Sequence, residues 1–84
     1  MNQPIKEKYI EFMSEHNRED LRQRLVSIMD HYGFKLTKIA RLLDLSVQAL
    51  DKFISDKSII SFTTMLKVDD YVREMELNIK ESFK

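Results

Sequence analysis

Apolar residues recur along this chain at steps of three and four, interrupted by short polar gaps, and that spacing predicts helices from end to end. Pro4 suits the first turn of a helix, where its missing N–H costs nothing, and Ile5, Tyr9, Phe12, Met13 and His16 then give one stripe. A second helix is expected from a cap at Asn17, with Asp20 in its first turn. Its apolar face is Leu21, Leu25, Ile28, Met29 and Tyr32, and Gly33 stops it. Between 36 and 55 the elements shorten. Ile39, Ala40 and Leu43 keep helical spacing, Leu45 falls alone, and Leu50, Phe53 and Ile54 resume the period. Ser46 follows the lone Leu45 and can cap the next helix by accepting a backbone N–H. Two short helices joined by a tight turn make a helix-turn-helix. Beyond the polar stretch Ser55–Ser58, Ser61 caps a last helix running from Phe62 to about Glu81. Its Met65, Val68, Val72, Met75, Ile79 and Phe83 nearly form a heptad seam.

With one Gly and one Pro, there is little room for hairpin turns, and the runs of Glu, Lys, Arg, Leu, Met and Ile favour helix. The expected fold is all-α, a five-helix-type bundle with a helix-turn-helix, an additional N-terminal helix and an extended C-terminal helix. It is read as one domain over 1–84, with its core at about 18–72 and helical extensions at 1–17 and 73–84. The chain has no cysteine, so disulfides and thiolate metal sites are excluded, and His16 and His31 are not spaced as an i, i+4 metal pair. Neither a metal nor a cofactor is expected. No nucleophile–base pair and no phosphate-cradling Gly loop can be assembled, so neither an enzyme nor a small-molecule substrate is expected. No apolar run approaches a membrane span, and Met1-Asn2-Gln3-Pro4 does not open a signal peptide; the expected location is the cytoplasm, away from membranes.

Charge bears directly on the partner. The chain carries 14 cations and 14 carboxylates, whereas nucleic-acid binders usually show a basic excess. The distribution is uneven. Lys35, Lys38, Arg41, Lys52 and Lys57 outnumber Asp44, Asp51 and Asp56 across the helix-turn-helix, and the flanking segments are each slightly acidic.

The segment Ile39-Ala40-Arg41-Leu42-Leu43-Asp44-Leu45-Ser46-Val47-Gln48-Ala49-Leu50-Asp51-Lys52-Phe53-Ile54-Ser55-Asp56 resembles the motif of the lambda-repressor-like (xenobiotic-response-element type) helix-turn-helix family of small phage and bacterial regulators. Leu21, Leu25 and Gly33 match the family pattern upstream. Ile60-Ser61-Phe62-Thr63-Thr64-Met65-Leu66-Lys67-Val68 echoes it downstream, so that the resemblance covers about residues 18–72. Asp44 and Asp56 stand where the family favours Gly, and Leu36 stands where many members carry a phosphate-touching Gln. Aspartate tolerates the left-handed backbone better than most residues, so the turn at Asp44 is expected to survive.

What the resemblance implies is a repressor-like regulator that reads double-stranded DNA. Val47, Gln48 and Lys52 lie where family members contact base edges, and their chemistry suits it. Gln bonds adenine bidentately, Lys reaches guanine, and Val packs on a thymine methyl. Ser46, Ser55, Lys57 and Ser58 flank them at positions suited to phosphate, with Lys35, Lys38 and Arg41 from the preceding helix. Asp51 shares that face and would be repelled by phosphate unless it accepts from cytosine or holds Lys52 or Lys57. The apolar stripe continues past the family's usual end through Met75, Ile79 and Phe83. It predicts a homodimer interface there, as two half-sites about one turn apart require. A single closed bundle is the alternative. A second functional expectation keeps the scaffold without strong DNA binding, as an inhibitor or adaptor for a regulatory protein partner.

Overall fold

The computed structural model of the chain describes residue 8, residues 10–55 and residues 60–82. It is an all-α bundle, with no strand among the described residues. Residues 10–12 are helical, and four helices follow: α1 (Glu15–Tyr32), α2 (Leu36–Leu42), α3 (Val47–Ser55) and α4 (Phe62–Ser82). None of these helices is long and apolar enough to cross a membrane.

The start of α1 corrects one expectation. Ser14 rather than Asn17 is the cap, its backbone extended at ψ 154 and its hydroxyl oxygen accepting the Asn17 N–H at 3.2 Å. Both residue types cap well. The chain turns at Met13 and Ser14, so His16 is an exposed residue of α1 and does not extend the preceding stripe. Asn17 instead donates its side-chain amide to the Phe12 carbonyl at 2.6 Å, pinning that preceding turn. At the other end Gly33 takes the left-handed conformation at φ 71, and the N–H groups of both Gly33 and Phe34 reach the Met29 carbonyl. Tyr32 then leaves the apolar stripe. It is exposed and stacks on Phe34, centroids 5.0 Å apart, because the reversal at Gly33 brings Phe34 back beside it.

Backbone hydrogen bonds close the turn between α2 and α3. Asp44 is the one non-glycine described residue with positive φ, at 55. Its N–H bonds the Arg41 carbonyl at 3.2 Å, and the Leu45 N–H bonds the Ala40 carbonyl at 2.8 Å. That pair of bonds is a Schellman stop, which satisfies the orphan carbonyls at the end of α2. Ser46 then caps α3 as expected, accepting the Ala49 N–H on its hydroxyl at 3.0 Å. Ser61 does the same for α4, accepting the Thr64 N–H at 3.1 Å.

Leu21, Leu25 and Ile28 from α1 and Met65, Val68 and Val72 from α4 are buried against one another, for α1 packs on α4. Ile39, Ala40, Leu50, Phe53 and Ile60 complete the core beneath the helix-turn-helix, where α2 packs on α3 and α3 on α1. Fully burying a side chain of this size contributes roughly 1.5–3 kcal/mol, so this one core holds all four helices. A polar tie adds to the α1–α4 contact. Arg24 donates Nε to Glu76 Oε2 at 2.9 Å and Nη2 to Oε1 at 2.6 Å, while Nη1 reaches Asp20 at 3.3 Å. Those bonds, with Glu76 first among them, raise the Arg24 pKa above its ordinary value. In return the Glu76 carboxyl is held below the usual carboxylate range, chiefly by the hydrogen bond from Arg24.

Candidate nucleic-acid interface

Helix α3 sorts its residues by period. Leu50 and Phe53 are buried and Ile54 half-buried, which turns Val47, Gln48, Asp51, Lys52 and Ser55 to solvent. The three positions expected to meet base edges, Val47, Gln48 and Lys52, therefore share one exposed face. Val47 is 42% exposed, an apolar side chain left uncovered at the first turn of the helix. Asp51 occupies the same face and forms no ion pair with Lys52 or with any other described cation.

The flanking positions divide. Ser46 uses its hydroxyl oxygen to cap α3, which leaves its proton to be donated outward. Ser55 differs from expectation: its hydroxyl donates to the Asp51 carbonyl at 2.7 Å, a local back-bond that takes the proton a phosphate would need. Lys35, at the N-cap of α2, is exposed and makes no side-chain capping bond. Lys38 is drawn over the Phe34 ring, with Nζ 4.3 Å from the centroid. Arg41 is exposed and lines the same groove as Tyr32, Phe34 and Lys38. Leu36 is half-buried against the core, so the first residue of α2 offers no polar group. Lys57 and Ser58 lie outside the described residues.

The residues expected to form the dimer interface are partly engaged within the chain. Met75 and Ile79 are half-buried and pack against the chain's own core, and Phe83 lies outside the described residues. The spacing of α4 shows an apolar stripe correctly, but α1 lies along it and covers much of that stripe. Sequence reasoning missed the aromatic cluster at the α1–α2 corner, where His31 meets the Tyr32 ring edge-on at 4.8 Å and Tyr32 stacks on Phe34. The one available signal was three rings within four residues, at 31, 32 and 34. Among the described residues no group of three or more His, Cys, Asp or Glu is placed to hold a metal ion.

No protein-family model, curated protein or solved structure matches the chain.

Proposed function

We propose that this chain is a sequence-specific DNA-binding regulator, repressor-like, that lays α3 in the major groove and pairs with a second copy over two half-sites. The observation that carries the reading is the exposed face of α3, on which Val47, Gln48 and Lys52 stand together just beyond a Ser46-capped N-terminus. Gln48 and Lys52 supply hydrogen-bond chemistry for adenine and guanine edges, and Val47 supplies an apolar contact for a thymine methyl. The outward proton of Ser46 serves phosphate at the flank, with Lys57 and Ser58 as further candidates. The similarity of residues 39–56 to the lambda-repressor-like motif supports the same assignment, and a binding role with no catalysis, in the cytoplasm, goes with it.

A second reading rests on Asp51 and on the neutral net charge. Asp51, which forms no ion pair among the described residues, stands in the middle of the reading face, where it opposes phosphate and suits a protein partner that brings a cation to it. Selection of bound duplexes from a random pool separates the two. DNA reading predicts an enriched motif, steep loss of affinity with salt, and loss of specific binding in Gln48→Ala/Lys52→Ala with helicity and melting unchanged. No enrichment, or undiminished operator affinity in that double variant, removes the assignment of α3.

A further inference from the structure

Leu42 is the most solvent-exposed leucine among the described residues, at 58%, and it stands at the last turn of α2. It forms the shared wall of two surface grooves of opposite sign. On one side, beside the Tyr32–Phe34 stack, lie Lys35, Lys38 and Arg41. On the other lie Asp44, Asp70 and Glu74, with Tyr71 between them. None of these six charges takes part in an ion pair among the described residues. Lys67 also lines the acidic groove, with Nζ 3.4 Å from the Asp44 carbonyl, and offsets part of its charge.

The geometry points to this face as a two-fold docking surface for a second copy of the same chain, with Leu42 on Leu42 at the axis. An isologous contact must be self-complementary, because the rotation that superposes the partners exchanges the two sides of the axis. A rotation about Leu42 lays the basic groove of each copy on the acidic groove of the other, so that both halves are neutralised at once. A partner of one sign would neutralise one half and leave the other repelled or bare. The exposed apolar positions of α4 itself offer no such gain. Leu66 and Leu77 are exposed there, but Asp69 and Arg73 beside them already pair with each other at 2.9 Å. The Leu42 face is smaller than the roughly 20–30 residues a side of a standard interface, which makes the dimer weak, reversible and salt-sensitive. This assignment takes up the homodimer of the preceding reading but does not depend on α3 binding DNA.

The test is a charge swap read by sedimentation equilibrium of the full chain without DNA, up to millimolar concentration. Lys38→Glu/Arg41→Glu makes the whole face acidic, and Asp70→Lys/Glu74→Lys makes it basic. Each variant alone should lose self-association by about tenfold or more, because like charges then meet across the axis. An equimolar mixture of the two should recover a heterodimer of wild-type strength, which a merely misfolded variant cannot do. Circular dichroism of each variant checks that the helices persist. A wild-type chain that stays monomeric throughout overturns the proposal. So does a dimer indifferent to both swaps, or one lost in both and not restored on mixing.

Discussion

Removing the Arg24–Glu76 tie tests how α1 and α4 are held together. The pair is bidentate, at 2.9 and 2.6 Å, and spans two helices, which places it above an ordinary surface contact. It is also wet, since the side chains are 32% and 40% exposed, and solvent screening removes most of what a buried pair would contribute. The balance of those effects is a coupling energy of about 1 kcal/mol, well short of a buried pair. A double-mutant cycle with Arg24→Met, Glu76→Met and the double variant isolates that term from the remaining Arg24–Asp20 contact. Urea unfolding followed by circular dichroism supplies each free energy, and a change of this size moves Tm by roughly 4–8 °C in a domain of this length. The pH dependence follows from the lowered Glu76 pKa. A carboxyl whose folded-state pKa lies below its unfolded value stabilises fully above the unfolded value, and loses that contribution as pH falls through the folded one. The coupling should therefore be complete at neutral pH and decline progressively below about pH 5. A coupling energy under about 0.3 kcal/mol at neutral pH, or one that is the same in acid, would refute this account.

Two further perturbations probe the core and the turn. Leu50→Ala removes a side chain with no exposed surface from the junction of α3 with α1, and should cost about 2–5 kcal/mol in urea unfolding, a large share of a small domain's stability. A cost under about 1 kcal/mol would mean the site collapses around the cavity. At Asp44, φ 55 strains any residue with a β-carbon, and a β-branched one most. Melting temperatures should rank Asp44→Val lowest, then Asp44→Ala about 1 kcal/mol below wild type, with Asp44→Gly at or above it. A valine variant that melts with wild type would disprove the left-handed turn.

The features legible in the sequence are those settled within a few residues. Ser46 and Ser61 cap where they are expected to, because the polar-to-apolar switch behind each leaves no competing residue. Asp44 adopts the left-handed turn that the resemblance assigns to Gly, since it stands one residue before the lone apolar Leu45 that must fold back over α2. At the start of α1 the expected cap, Asn17, gives way to Ser14. Both are good caps three residues apart, and the choice between them depends on the chain direction at residues 13–14. Longer-range features left no such trace. Tyr32 has the spacing of a core residue but stacks outside on Phe34. Arg24 finds Glu76 across 52 positions, and Met75 and Ile79 pack in part against the chain's own core. The reading face of α3 lies between these cases. Its exposure follows from period alone, while the Ser55 back-bond onto Asp51 appears only once the rotamer is seen.

The tie between Arg24 and Glu76 also sets an order of assembly. It joins points 52 residues apart, so α2 and α3 are carried inside the loop that α1 and α4 close. The α2–α3 corner is built from neighbours in sequence and forms on the timescale of local helix growth. The α1–α4 contact must first overcome the entropy of closing the long loop. Leu50 and Phe53 share one buried core with Leu21, Leu25 and Ile28 of α1 and with Met65, Val68 and Val72 of α4, so that core is complete only after the closure. A force or ligand that parts α4 from α1 would therefore loosen the seating of α3 without touching any residue on its exposed face.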